Sequence, residues 1–357
     1  MTTRTEPTLT AARPGRLALL AAGWLGLWGV LALIATITGA GYPLGANNPG
    51  GSGTTLLRLI PVGLGPPLFA VLLLAAAGAA FVMSRPTAGT ASGWRVPLLS
   101  LGWAVAFVLA VVVPDAWVLV LLGYAPILLL GAPFGWPDVN YADVFSWALF
   151  VKFAALVGGL LLGAAVLAWQ RRTAGACARC GRAGDGDAAW TTPAAAARWG
   201  RWAAYVAAAV PACYALTRFA WAAGVPFGIS AEMLAELQDT GAIWAGAGLA
   251  AFAMVGAILT LGLVQRWGER FPRWMVGLAG RRVPVRLAVV PAAVVAVAVT
   301  AASLGYLSSP NFWALTGALS MGTAPIVFFP AWGVALGAAA YAYHLRRRGA
   351  CGRCGRG

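Results

Sequence analysis

Four of the five cysteines form two short motifs of a kind that binds metal ions. Cys177 and Cys180 make one C-x-x-C pair, Cys351 and Cys354 make the other, and Gly-Arg follows each pair. Two such pairs supply the four thiolates of a tetrahedral zinc site. The sequence therefore predicts that the four cysteines share one structural zinc ion, although the motifs lie 174 positions apart. Two alternatives stay open: a redox-active or metal-sensing dithiol, and a duplicated arginine-rich tail that binds no metal.

Two positive charges lie inside long apolar segments, where a charge is costly and usually functional. They are Lys152 and Arg218. The connections on the predicted outer side carry four acidic residues near them: Asp138, Asp143, Glu232 and Glu236. One hypothesis is an outward-facing polar cavity in which Arg218 and Lys152 bind an anionic group and these acids tune or gate the site. The alternative is structural: Lys152 extends to the membrane interface, and Arg218 forms an ion pair with an outer carboxylate.

The composition shows what kind of protein must position these residues. Of the 357 residues, 61% are hydrophobic and 10% are charged, whereas a soluble protein has about 25% charged residues. A membrane-spanning helix needs about 20 apolar residues. Eight segments meet this length: 17–39, 60–83, 96–113, 146–169, 203–223, 241–264, 284–307 and 318–343. The sequence thus predicts an all-α integral membrane protein with eight transmembrane helices.

A ninth apolar run, residues 116–132, is shorter and directly follows Pro114 and Asp115. Cytoplasmic loops carry an excess of Lys and Arg, so the arginines decide its topology. If 116–132 does not cross, nearly all the arginines fall on one face, and a full crossing would move those of 171–201 to the other. We therefore expect a re-entrant or interfacial helix here, with both chain termini in the cytoplasm. The chain uses arginine in place of lysine and is rich in Ala and Gly, a composition typical of a GC-rich coding genome. We therefore expect the protein to lie in a bacterial plasma membrane.

Short motifs recur along the chain and indicate an internal repeat. Five pairs occur in the same order, 174 to 187 positions apart: Gly-Arg at 15 and 200, Gly-x-Pro-x-Gly at 41 and 224, Arg-Val-Pro at 95 and 282, Leu-Gly-Tyr at 122 and 304, and the C-x-x-C motifs. Each half has an even number of spans, so the two repeats are parallel. We expect a tail (1–16), a first four-helix repeat (17–182), a linker (183–199) and a second repeat (200–357).

One segment, residues 214–228 (YALTRFAWAAGVPFG), resembles a stretch of uncharacterised polytopic membrane proteins of actinobacteria. The resemblance implies membership of a family with no assigned activity, and it transfers no catalytic residue. The chain also lacks a Walker P-loop and has a single histidine. The first observation weighs against a P-loop nucleotide-binding enzyme and the second against most acid–base hydrolase schemes, and no catalytic residue is predicted.

These patterns favour a transporter-like or small-molecule-binding membrane component, because parallel repeats occur among transporters. The alternatives are a membrane-embedded enzyme acting on a lipid-linked substrate, and a non-catalytic zinc-binding scaffold or sensor. The expected partners are the lipid bilayer, anionic inner-leaflet lipids at the basic face and a small-molecule ligand. Topology accounts for the net charge of +15, so no nucleic-acid partner is expected.

Overall fold

The structure is a computed structural model. It describes residues 15–40, 55–85, 92–135, 140, 144–182, 188–273, 275–309, 324–352 and 354–355. Within these ranges every regular element is a helix, apart from one isolated bridge between Arg270 and Arg282. The predicted all-α class is therefore confirmed for the part of the chain that the structure describes.

Ten helices organise these residues, together with short 3₁₀ turns and one helical turn at Ala324–Val327. They are α1 (Arg16–Thr38), α2 (Gly65–Ser84), α3 (Arg95–Phe107, continued by a π turn over Val108–Val112), α4 (Ala116–Gly131), α5 (Trp147–Thr173), α6 (Pro193–Ala222), α7 (Ala231–Asp239), α8 (Ala242–Gly262), α9 (Val285–Ser308) and α10 (Phe329–Arg347).

Seven of these helices are long and apolar enough to span a membrane, namely α1, α2, α3, α5, α6, α8 and α9. They correspond to the first seven predicted spans. The eighth predicted span, 318–343, begins among residues outside the described ranges, and its described part comprises the helical turn Ala324–Val327 and most of α10. Helix α10 has 19 residues, and its last turn carries His344, Arg346 and Arg347.

The run that the sequence assigns to a re-entrant or interfacial helix forms α4 and the turn after it. Ala116–Ala125 and Leu128–Phe134 are apolar enough to span together, but they are bent by 47° at the break between them. The break coincides with a proline at position 126, and proline removes a backbone donor from a helix. Such a bent pair is a broken span or a re-entrant loop, so the described helices give seven or eight spans.

The chain divides into two compact units, and the first comprises Met1–Ala46, Ile60–Ala110 and Ala154–Gly184. In this unit α1 packs along α2, and the indole N–H of Trp24 on α1 donates to the carbonyl of Ala154 on α5 at 2.9 Å. Gly159 lets α5 approach α3 closely, because an added Cβ there would lie 2.9 Å from the carbonyl oxygen of Ala106.

The second unit comprises Asn47–Leu59, Val111–Phe153 and Asp185–Gly357. In it α6 packs against α8 and α10, α10 packs against α9, and α4 lies on α9. Small residues such as Ala204 and Ala339 line the core around the buried ring of Tyr343. Gly333 lets α10 approach α9, since an added Cβ would lie 2.9 Å from the carbonyl oxygen of Ala296.

Arginines at the end of the last helix tie the helix ends of each unit together. The last carbonyls of a helix have no partner inside the helix, and arginine supplies donors for them. In the first unit Arg172 donates to the carbonyl of Met83 at 2.6 Å. In the second unit three successive arginines of the α10 end each bond to a different segment: Arg346 to Leu263 (2.5 Å), Arg347 to Val283 (3.0 Å) and Arg348 to Thr191 (3.3 Å).

Candidate functional site

The first C-x-x-C motif follows the end of α5 and folds into a tight turn. The N–H of Gly181 donates to the carbonyl of Cys177 at 2.7 Å, and the N–H of Cys177 donates to the carbonyl of Arg182 at 3.0 Å. Gly181 has a φ of +78°, a conformation that glycine adopts without steric cost. This turn explains why glycine follows the second cysteine: it closes the loop that carries Cys177 and Cys180.

The second motif follows α10 and repeats that turn. The N–H of Gly355 donates to the carbonyl of Cys351 at 2.8 Å, and the φ of Gly355 is +69°. Cys351 is 8% exposed, whereas Cys354 is half-buried. The two C-x-x-C-G segments therefore share the same backbone hydrogen bond and the same glycine conformation.

The sulfur atoms of Cys177, Cys180, Cys351 and Cys354 all lie within 4.8 Å of one another. None of the four forms a disulfide bond. Around a tetrahedral zinc ion with Zn–S bonds of about 2.3 Å, the sulfurs are about 3.8 Å apart, so a small inward movement suffices for coordination. The prediction that the fold brings the four cysteines together is confirmed, and the cluster could bind a metal ion.

Lys152 lies on α5, and its partner is Asp115, which directly precedes α4. The ammonium of Lys152 forms a salt bridge with Oδ2 of Asp115, and their side chains are only 4% and 2% exposed. The other carboxylate oxygen accepts the N–H of Trp117 at 3.1 Å and so caps α4. Lys152 is therefore buried in an ion pair with Asp115.

Arg218 lies near the C-terminal end of α6, and two aromatic rings contact its charge. The guanidinium carbon lies 3.9 Å from the centre of the Trp221 ring and 4.8 Å from that of Tyr214. Its Nη1 is buried and has no hydrogen-bond partner. Within the described residues no carboxylate pairs with Arg218, and its charge contacts the faces of the two rings.

The two predicted acids that the structure describes lie on the short helix α7. Ser230 caps this helix by accepting the N–H of Met233 at 3.2 Å. Glu232 and Glu236 are both exposed. A hydrogen bond from its own backbone N–H and a second from the Ser230 hydroxyl hold the pKa of Glu232 below its ordinary value. The other two predicted acids, Asp138 and Asp143, lie outside the described residues.

Sequence reasoning missed two sets of contacts within the membrane segments. Asp115 is 37 positions from Lys152, and the only sequence signal was an acid at the start of an apolar run, where helix caps occur. The rings around Arg218 had a clearer signal, because Tyr214, Arg218 and Trp221 are spaced four and three apart, which places them on one helix face.

Comparison of the chain with models of known protein families, with curated proteins and with solved structures found no match. The features of the chain that indicate a function are therefore the cysteine cluster and the charges within the apolar segments.

Proposed function

We propose that the protein is a polytopic membrane protein with a structural zinc site, in which one Zn²⁺ joins the C-terminal ends of two parallel four-helix repeats at the cytoplasmic face. The observation that carries this proposal is the clustering of four sulfur atoms within 4.8 Å. Four thiolates complete the coordination of zinc and leave no open position for a substrate. The zinc is therefore structural, and the protein acts as a membrane scaffold or sensor.

Matching contacts support the two parallel repeats. Helices α5 and α10 precede the cysteine motifs, and residues 174 positions apart on the two helices make equivalent contacts. Gly159 and Gly333 each allow a close approach of their helix, to α3 and to α9 respectively, because an added Cβ would clash there. Arg172 and Arg346 each donate to a carbonyl at the end of an α-helix, α2 in one case and α8 in the other. A duplicated four-helix unit accounts for both pairs.

The decisive test is the metal content of purified cysteine variants. We expect about one zinc per chain in the wild-type protein expressed with zinc, and a loss of most of it in Cys177→Ser and in Cys351→Ser, because each removes one of four ligands. The fifth cysteine, Cys213, lies on α6 and is exposed, so Cys213→Ser is the matched control and retains its zinc. Unchanged zinc in Cys177→Ser, or zinc-free wild-type protein, rejects the proposal.

A second candidate function is the binding of a small anion at Arg218, which fits a transporter-like protein. The observation in its favour is the buried Nη1 of Arg218 without a hydrogen-bond partner, because a buried donor of this kind costs free energy until an acceptor reaches it. A carboxylate or phosphate oxygen is the acceptor that guanidinium binds best. Lys152 contributes positive potential only in part, since Asp115 balances its charge.

Thermal unfolding in detergent tests this candidate with inorganic phosphate and with acetate at constant ionic strength. We expect one of these anions to raise the midpoint of wild-type protein and to have no effect on Arg218→Met. The control is Arg198→Met, which removes an exposed arginine from the first half of α6 and retains the response. An equal response of wild-type and Arg218→Met rejects the anion site.

A further inference from the structure

The second unit contains an apolar groove that neither the cysteine cluster nor Arg218 uses. The groove has a volume of about 580 Å³ and lies where α8 ends and α9 begins, with α10 as its third wall. Its walls include Leu259, Leu263, Leu287, Val295, Trp332 and Leu336. An apolar groove between apolar helices suits a hydrocarbon chain, because its walls offer water no hydrogen-bond partner.

The depth of the groove matches one leaflet of a bilayer. On α9 the wall runs from Leu287 to Val295, and the helix itself begins at Val285. At 1.5 Å per residue, Val295 lies about 15 Å from the start of the helix, which is half of the hydrocarbon core of about 30 Å. The groove thus begins at the loop end of α8 and α9 and ends near mid-membrane, as the acyl chain of one lipid does.

The mouth of the groove is basic. Arg270 is the only charged residue among the described residues of the lining. It belongs to the connection between α8 and α9, which carries four further exposed arginines, Arg266, Arg273, Arg281 and Arg282, and a fifth, Arg286, lies in the first turn of α9. The acid of this connection, Glu269, lies 3.5 Å from Arg346, so a cation already balances it. A negatively charged head group would therefore find strong positive potential at the mouth.

The connection is held in a defined shape at the groove. The N–H of Phe271 donates to the carbonyl of Arg281, the N–H of Gly280 donates back to the carbonyl of Phe271, and the N–H of Val283 donates to the carbonyl of Glu269, each at 3.0 Å. Between these bonds Val276 is 98% exposed. An exposed apolar side chain beside arginines is typical of a segment at the membrane–water interface.

We propose that this groove is a binding site for one anionic phospholipid, with an acyl chain between α8, α9 and α10 and the phosphate on the guanidinium of Arg270. Basic pockets between membrane helices bind anionic lipid head groups in this way. The neighbouring arginines favour an anionic lipid over a zwitterionic one. The site is independent of zinc, because no cysteine lines it.

Native mass spectrometry of the purified full chain tests the proposal. The protein is reconstituted into nanodiscs of equimolar phosphatidylglycerol and phosphatidylcholine and released into detergent, and the retained lipid is weighed. We expect wild-type protein to retain one phosphatidylglycerol in preference to phosphatidylcholine. Arg270→Gln should lower this retention at least fivefold, whereas Arg198→Gln, which removes an exposed arginine away from the groove, should leave it unchanged.

A second variant separates a true groove from a general attraction of anionic lipid to arginines. Ala292 lines the groove on α9, and Ala292→Phe fills it without changing any charge, so retention should be lost. If that variant does not purify as a folded monodisperse protein, the milder Ala288→Leu at the same wall replaces it. Equal retention of the two lipids, equal losses in Arg270→Gln and Arg198→Gln, or undiminished retention in the folded filled-groove variant would each overturn the proposal.

Discussion

The guanidinium carbon of Arg218 lies 3.9 Å from the centre of the Trp221 ring, one turn further along the same helix. A hydrogen bond from the Trp221 indole to the carbonyl of Phe227 at 2.8 Å holds this ring in place. The contact places the charge over the negative face of an aromatic ring, which attracts cations. An arginine in an apolar helix is thus accommodated without a neighbouring acid in the described residues.

Replacement of Trp221 by leucine should therefore destabilise the protein beyond the loss of apolar area. A cation–π contact contributes about 0.5–2 kcal/mol depending on its desolvation, and the hydrogen bond to Phe227 is lost as well. We expect a clear drop in the free energy of unfolding, measured by denaturant titration in detergent micelles. Trp244→Leu on α8, where the side chain is 69% exposed, should have a much smaller effect, and equal effects would contradict the role given to the ring.

Loss of the Asp115 carboxylate should be among the most damaging single substitutions in the second unit. Asp115→Asn leaves the ammonium of Lys152 buried without a counter-charge, and breaking a buried pair in this way costs about 3–5 kcal/mol. The amide oxygen of Asn can still accept the N–H of Trp117, so the substitution retains the cap on α4 and tests the ion pair. We expect a large fall in the thermal midpoint, with Asp239→Asn at the exposed end of α7 as the control.

The double variant Asp115→Asn/Lys152→Met decides whether the damage comes from the orphaned charge. Removing both charges of a buried pair is often nearly neutral. We therefore expect the double variant to recover most of the lost stability. A double variant as unstable as Asp115→Asn alone would contradict the assignment of the damage to the unpaired ammonium of Lys152.

The helical membrane class and the positions of seven spans were predictable because apolar length is a local property of the sequence. The eighth predicted span, 318–343, begins outside the described residues, which leaves the exact number of spans a prediction. The bend within residues 116–134 was indicated only by a short apolar run and an internal proline. Whether such a run crosses the membrane depends on the helices that pack against it, and hydropathy contains no information about that packing.

The cysteine cluster was predictable because the spacing of a C-x-x-C motif places two thiolates close together, and two such motifs supply the four ligands of one zinc ion. The partner of Lys152 was not. Asp115 lies on another segment, and its pairing depends on how α4 and α5 pack, which no local pattern encodes. Arg218 illustrates a third case, in which the ring spacing was visible but an acid was expected as its partner.

Removal of zinc should destabilise the protein if the proposed metal centre is structural, because binding free energy is then part of folding free energy. We expect a strong chelator to lower the thermal midpoint of wild-type protein and of Cys213→Ser, and added zinc to restore it. The Cys351→Ser variant should begin with a low midpoint and respond to neither treatment. A wild-type midpoint that is the same with and without the chelator, at demonstrated loss of zinc, would contradict a structural role.

Matched glycine substitutions test the close helix contacts of the two units separately. An added Cβ at Gly159 would lie 2.9 Å from the carbonyl oxygen of Ala106, and one at Gly333 would lie 2.9 Å from that of Ala296. Since a backbone carbonyl in a packed helix cannot move aside cheaply, alanine at either glycine should cost about 1–3 kcal/mol of unfolding free energy, as overpacking does.

The controls lie one turn further along the same helices. An added Cβ at Gly163 or at Gly337 would meet its nearest neighbour at 3.7 Å, an ordinary van der Waals distance. Alanine also has a better helix propensity than glycine by about 1 kcal/mol, so both controls should be neutral or stabilising. The free energy of unfolding, measured for all four variants, should therefore fall at Gly159 and Gly333 and not at Gly163 and Gly337. Losses at Gly163 and Gly337 as large as those at the other two glycines would contradict the packing described for α5 and α10.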